Sequence, residues 1–171
     1  ERGFAGHGLS VCATCDGPLF QGKDVAVVGG GNSALTTALE MADIARSVHL
    51  IVRNSIRADE VYREALAQKS NVAVHLDAEV SKLKGERFLS GITIRDRSSG
   101  KESDLDVEGL FIEIGHEPNT EFLGGLVELN GNNEIVIDAN NHTSAAGIFA
   151  AGDVTNIQYK QIIIAAGEGA K

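Results

Sequence analysis

Two thiols are the strongest nucleophiles this chain offers. Cys12 and Cys15 are its only cysteines, three residues apart in Cys12-Ala-Thr-Cys15-Asp16. If residues 12–15 form a helical turn, the sulfurs come within bonding distance. The helix dipole and free N–H groups then stabilise the thiolate of the N-terminal one. One cysteine serves as nucleophile and the other as its resolving partner in thiol–disulfide exchange. Asp16 either moves protons to and from a departing thiol or is a turn residue before Gly17-Pro18. A structural zinc needs four ligands, and the five histidines are scattered, so a metal site here requires ligands from a second chain.

A second stretch able to do chemistry begins at residue 24. Asp24-Val-Ala-Val-Val28 suits a strand buried on both faces of a parallel sheet, and three glycines follow at once. Gly29, Gly31 and Ala34 fit the G-x-G-x-x-G/A pattern. Its first glycine makes a tight turn, its second lets a pyrophosphate approach the backbone, and its third small residue lets helix touch strand. Asn32 or Ser33 is placed to cap a helix running to about Ala45, with Leu35, Leu39 and Ala42 as an inward stripe widened by Ile44 and Ala45. The apolar run at 48–52 closes a βαβ unit whose helix N-terminus is aimed at a phosphate. A glycine-rich turn that binds nothing is the competing reading.

Beyond the second strand, dinucleotide sites diverge. An acid roughly 20 residues past the glycines binds the ribose 2′-hydroxyl of NAD, whereas an arginine binds the 2′-phosphate of NADP. Here Arg53 holds that place, Arg57 lies four residues on, and the first acid is Asp59. Two guanidiniums can flank one phosphate, which points to NADPH and leaves NADH open; solvated loop arginines are the other reading.

These residues need a scaffold. Asp59 is expected to cap a helix over 60–69 that turns Val61, Ala65 and Leu66 to the sheet, and 72–76 alternates as a third strand. Segments 79–84, 89–96 and 102–106 read as an antiparallel meander. A further buried strand from Gly109 ends at Gly115, near the place expected for the nicotinamide nucleotide. Pro118 marks a boundary. Residues 1–116 form a nucleotide-binding domain opening on a glycine-rich connection over 1–9, and 117–171 form a second unit with strands at 135–137 and 148–150. The fold class is therefore α/β, a Rossmann-like three-layer domain with an antiparallel β-meander. A length of 171 residues, 43% of them hydrophobic, can bury a real core. A net charge of -9 argues against nucleic acid as a partner. The sequence shows no membrane-spanning run and no signal peptide, so a cytoplasmic location is expected; the first residue, not a Met, suggests a trimmed fragment.

Cys12-Ala-Thr-Cys15-Asp-Gly-Pro-Leu-Phe20, followed by Gly29-Gly-Gly-Asn-Ser-Ala34, resembles the nicotinamide-binding domain of bacterial thioredoxin reductases and of the related flavoprotein subunit of alkyl hydroperoxide reductase. The resemblance recurs in Gly109-Leu-Phe-Ile-Glu-Ile-Gly-His-Glu-Pro-Asn119 and in Gly147-Ile-Phe-Ala-Ala-Gly-Asp-Val154. The stretch from Tyr159 to Lys171 is closer to the peroxide-reductase subunit, and Cys-Ala-Thr-Cys to thioredoxin reductase. Where thioredoxin reductases carry His-Arg-Arg and a further Arg, this chain has Val52-Arg53-Asn54 and Arg57, two of three phosphate-binding arginines.

The resemblance implies FAD as a second cofactor. Gly152 and Asp153 would hold its ribitol, and a helix starting near Lys160, Gln161 and Ile162 would point its N-terminus at the flavin ring. It implies electrons passing from NADPH through FAD to the Cys12–Cys15 disulfide and on to thioredoxin or a peroxiredoxin. Cys15 would face the flavin and Cys12 attack the partner, within a homodimer whose domains rotate about residues 3–8 and 115–119. Only one glycine fingerprint is present, so 117–171 is expected to be an incomplete FAD-binding domain. The apolar face of 162–166 should then be bare, and the chain alone should be inactive.

Overall fold

The computed structural model describes residues 2–115 and 117–171; Glu1 and His116, the expected end of the first domain, lie outside the described residues. The chain divides into two compact units at Gly115. The first unit holds β1 (Leu9–Ser10), α1 (Ala13–Asp16), β2 (Asp24–Val28), α2 (Asn32–Ile44), β3 (Ser47–Val52), α3 (Glu60–Ala67) and β4 (Val72–Leu76). The antiparallel β5 (Ala78–Gly85), β6 (Leu89–Asp96) and β7 (Glu102–Leu105) follow, then β8 (Gly109–Ile112). Five parallel strands run in the order β1-β8-β2-β3-β4, and β5-β6-β7 form the separate meander.

Three layers result because both faces of the parallel sheet are apolar. On one face Val25, Val27, Val48, Leu50 and Phe111 pack against Leu35, Ala38 and Met41 of α2. On the other, Ala26, Ile51 and Leu110 meet Leu89, Ile92 and Ile94 of the meander. Full burial of each large aliphatic side chain contributes about 1.5–3 kcal/mol.

Several expectations need correction. Neither Asn32 nor Ser33 caps α2: Gly31 is the N-cap, and Asn32 is the first helical residue. The fully buried stripe of α2 is Ala34, Leu35, Ala38 and Met41, with Leu39, Ala42 and Ile44 only flanking it. Two of these four positions are alanines, which hydropathy does not single out. On α3 the inward pair is Tyr62 and Leu66, one turn apart, whereas Val61 and Ala65 are exposed. Residues 1–9 are more than a connection, since Leu9 pairs with Leu110 in the sheet.

In the second unit the strands expected at 135–137 and 148–150 are absent among the described residues. Ile135 makes single bridges to Leu129 and Thr155, and Phe149 one to His142. Side chains take several backbone donors around the first of these runs, and the Ile148 N–H turns back to the Ala145 carbonyl. Asn130 Oδ1 accepts from the N–H groups of Asn132 and Glu134, Asp138 Oδ1 from those of Asn140 and His142, and Asn156 Oδ1 from Ile137. The unit ends in α4 (Ile162–Ala170). No described helix is long and apolar enough to cross a membrane.

The sheet carries two acid-sensitive points. His49 Nδ1 on β3 lies 3.0 Å from His75 Nε2 on β4, a hydrogen bond that needs one lone pair and so one neutral ring. Burial lowers the proton affinity of both rings, and His75 is lowered further by His49. The folded state therefore binds fewer protons than the unfolded chain once pH drops below the ordinary histidine value of 6.5, so stability is full above that value and falls below it. At Asp24, Arg46 and Ser47 outweigh burial and hold the carboxyl down from 3.8 to about 2. Its contribution is present above 3.8 and is lost as pH falls toward 2. Urea midpoints measured across pH should decline in these two windows, with His75→Gln reducing the first loss to the part that buried His49 keeps and Asp24→Asn removing the second.

Candidate functional site

Three strand ends converge at the carboxyl edge of the parallel sheet, where open α/β sheets bind ligands. Val28 of β2 stands in register with Ile51 of β3 and Ile112 of β8, so the glycine loop, Arg53 and Gly115 all emerge at this edge. Gly29 makes the turn with φ +148, and a Cβ there would overlap the Glu113 carbonyl and come 2.8 Å from Ala34 Cβ. Gly31 is different. It is extended, at φ -94 and ψ -176, and a Cβ added to it would meet nothing within 4 Å. Nothing in the described chain needs its bareness, which is what a cradle for a pyrophosphate requires. The helix cap makes no side-chain hydrogen bond, so the first turn of α2, Asn32, Ser33 and Ala34, offers its N–H groups outward. The donor set fits a dinucleotide.

The segment after β3 is tied to this loop. Arg57 donates its backbone N–H to the Gly30 carbonyl at 2.6 Å. Asn32 and Asp59 form a reciprocal pair, Nδ2 to Oδ2 at 2.9 Å and Asp59 N–H to Oδ1 at 2.8 Å. That pair is what occupies the Asn32 side chain in place of capping. Arg53 and Arg57 are exposed, and neither guanidinium has a hydrogen-bonding partner among the described residues. Sequence reasoning missed Arg97, whose Nη1 donates to the Arg53 carbonyl at 2.9 Å and to Asn54 Oδ1 at 2.7 Å. Only the meander's position reveals it, because Arg97 is 44 residues from the loop it holds. Thr37 was missed too: its buried Oγ1 donates to Glu113 Oε1 at 2.9 Å and braces the end of β8.

Cys12 and Cys15 are disulfide-bonded, with Cys12 as N-cap of α1. The Cys15 N–H points at Cys12 Sγ at 3.2 Å, so the N-terminal sulfur receives the backbone donor expected of it. Cys15 is exposed and Cys12 half-buried. Asp16 Oδ2 accepts from Ser10 Oγ at 2.7 Å, a residue that the spacing of the motif did not point to. The turn packs on α2, where Thr14 Oγ1 donates to Glu40 at 3.3 Å. Glu40 lies eight residues past Asn32, about 12 Å along the helix axis. Disulfide and glycine loop thus share one helix at different stations along it.

In the second unit Gly152 lies against Ala165 of α4, and Asp153 is exposed beside it. Gln161 is the helix N-cap and makes no side-chain cap bond, so that N-terminus is free to receive a ligand. The Lys160 ammonium is engaged within the unit by Glu134, 2.8 Å away, and by the Thr155 carbonyl. Ile162 and Ile163 are 91% and 80% exposed. The Gly152–Asp153 turn and the open helix end fit part of a flavin site.

Known proteins resemble this chain in sequence and in fold. An alkyl hydroperoxide reductase subunit of Pseudomonas aeruginosa is 47% identical over 173 residues, which cover 100% of this chain and 33% of that protein. NADH dehydrogenase of Bacillus subtilis is 44% identical, covering 99% of this chain and 34% of that one. The chain therefore spans about a third of the length of these curated relatives. The crystal structure of Lactococcus lactis thioredoxin reductase (FR conformation) matches with a TM-score of 0.88 at 30% identity, over 99% of this chain and 57% of that one. The sequence model of the Pyridine nucleotide-disulphide oxidoreductase family matches residues 2–169, and it is to this family that the chain belongs.

Proposed function

We propose that this chain carries the nicotinamide-binding domain, and part of the FAD-binding domain, of a cytoplasmic homodimeric flavoprotein that passes electrons from NADPH to the Cys12–Cys15 disulfide and on to a protein disulfide such as that of thioredoxin. One observation carries the reading: a glycine loop bare for a ligand and a bonded cysteine pair lie along the same helix, α2. Gly29, Gly31 and the first turn of α2 would hold the pyrophosphate, Arg53 and Arg57 the 2′-phosphate, and Gly115 would leave room for the nicotinamide end. Gly152, Asp153 and the N-terminus of α4 at Gln161 and Ile162 would take the flavin side, with Lys160 anchoring the approach to that helix. The bound cofactors would supply a two-electron hydride and its relay to sulfur.

The reduced cysteine pair then acts on its own chemistry. Cys12 Sγ attacks one sulfur of the partner disulfide, forming a mixed disulfide and expelling a thiolate. Cys15 Sγ attacks Cys12 Sγ, reforming the intrachain bond and expelling the second thiolate. Asp16 takes thiol protons and returns them to the departing sulfurs. Two electrons and two protons leave the chain.

Cofactor preference tests the phosphate assignment. Arg53→Ala is expected to weaken NADPH binding about tenfold or more and leave NADH within twofold, measured by titration of each nucleotide, because only the former offers a charged phosphate to a guanidinium. Equal losses would reassign the residue and favour NADH. The B. subtilis relative named for NADH, and the Asp59 carboxylate held to Asn32 beside the loop, favour that second reading.

The partner is open to a second reading as well. Identity of 47% to an alkyl hydroperoxide reductase subunit, against 30% to the L. lactis thioredoxin reductase, favours a peroxiredoxin as the acceptor. Coupled assays of the complete protein with thioredoxin and with a peroxiredoxin decide it: turnover with thioredoxin supports the first reading, and turnover with the peroxiredoxin alone replaces it.

A further inference from the structure

One hydroxyl joins the disulfide turn to the parallel sheet. Ser10 is 5% exposed and stands on β1 in register with Phe111 of β8. Its Oγ donates to Asp16 Oδ2 at 2.7 Å and accepts the Cys12 N–H at 3.1 Å, with the Cys12 carbonyl 3.3 Å away. A hydroxyl has one proton to give, and the charged, nearer carboxylate is the stronger acceptor. Asp16 is four residues from Cys12, so on this helical turn the two side chains share a side. Without the hydroxyl, a half-buried aspartate is free to swing between staggered rotamers, only some of which keep its carboxylate on the sulfur side.

We propose that Ser10 is a positioning residue for the dithiol: it fixes the Asp16 carboxylate on the side of the turn that carries Cys12 and holds the Cys12 backbone in the same bond network. This rests on Asp16 acting as proton carrier in the exchange proposed above. In each exchange a chain thiol gives its proton to Asp16 as its sulfur forms the new S–S bond. The old S–S bond breaks, and the departing thiolate takes the proton back. Over two such steps the chain's dithiol is oxidised to a disulfide, the other disulfide is reduced to two thiols, and Asp16 ends unchanged.

Oxidised glutathione is a suitable probe, since its departing thiolate needs a proton. The reduced 171-residue chain is mixed with it, quenched in acid, and its remaining thiols counted by mass. Ser10→Ala is expected to slow oxidation about tenfold, and Ser10→Thr, which keeps the hydroxyl, to restore it to within twofold. Asp16→Asn should slow it at least as much, and Ser10→Ala in the Asp16→Asn background should add nothing. Asp16→Glu keeps the charge but moves it one methylene from the hydroxyl, and should be slow as well; this arm stands even where Ser10→Ala folds poorly. Full speed in Ser10→Ala or Asp16→Glu, no rescue by threonine, or additive losses would overturn the role of Ser10. Full speed in Asp16→Asn would instead sink the proton-carrier reading beneath it.

Discussion

Replacing Gly31 with valine should abolish most nucleotide binding and leave the fold standing, while replacing Gly29 with alanine, two residues away, should do the reverse damage. The two glycines look alike in sequence, yet their surroundings differ. At Gly29 the backbone sits at φ +148, where side chains are strained, and a Cβ would overlap the Glu113 carbonyl and crowd Ala34. Strain and overpacking together come to on the order of 3–5 kcal/mol, a large share of a domain's stability. At Gly31 the backbone is extended and the space around a Cβ is open within 4 Å. Valine there loses only the advantage of glycine as a cap, about 1 kcal/mol or less. It does put methyl groups where, on the proposed reading, a pyrophosphate would meet backbone N–H groups. A thirtyfold or greater loss of NADPH affinity is expected, roughly 2 kcal/mol. Calorimetric unfolding and nucleotide titration of both variants test the pair. A Gly31→Val chain that binds NADPH like the parent would remove the loop from the site.

The same contrast shows how far sequence carries. The β2–α2–β3 unit was legible because three independent signals coincide there: a β-branched run, spaced glycines and a second apolar run. The meander was legible from alternation, since Ile92 and Ile94 face inward and are buried against the parallel sheet. What the sequence hid was side-chain substitution for backbone partners. Asn32 looked like a cap and instead pairs with Asp59. Asn130 and Asp138 take backbone donors within four residues and Asn156 takes that of Ile137, while the Ile148 and Ala150 N–H groups go to the Ala145 and Asn141 carbonyls, so the apolar runs near Ile135 and Ile148 make only isolated bridges. Contacts across long separations were equally hidden. Arg97 at the loop after β3 and Thr37 at Glu113 are joined to their partners only by folding. Ser10 was closer to hand, two residues before Cys12, but a serine beside a strand carries no periodic signal.

Cys12→Ser should reduce the rate of disulfide exchange by about three orders of magnitude or more, and it should do so although Cys15 is the more exposed residue. Exposure and activation point to different cysteines here. Cys15 has the easier access, whereas Cys12 Sγ has the backbone N–H of Cys15 at 3.2 Å and caps α1. Exchange proceeds through the thiolate, and a donor aimed at one sulfur stabilises the negative charge on that sulfur. Access alone changes a rate by modest factors, while losing the nucleophile removes the pathway. Reduced chain treated with limiting iodoacetamide at neutral pH should therefore carry its first label on Cys12, read by peptide mass. Cys15→Ser should still attack a disulfide but stop at the mixed disulfide, because the resolving sulfur is gone. In the complete protein, Cys12→Ser should leave nucleotide-driven flavin reduction near its parent rate, since the Gly31 loop is about 12 Å along α2 from the station where the disulfide turn packs. Preferential labelling of Cys15, or exchange that survives Cys12→Ser, would hand the attacking role to the outer sulfur and leave the Cys15 N–H contact without a chemical purpose.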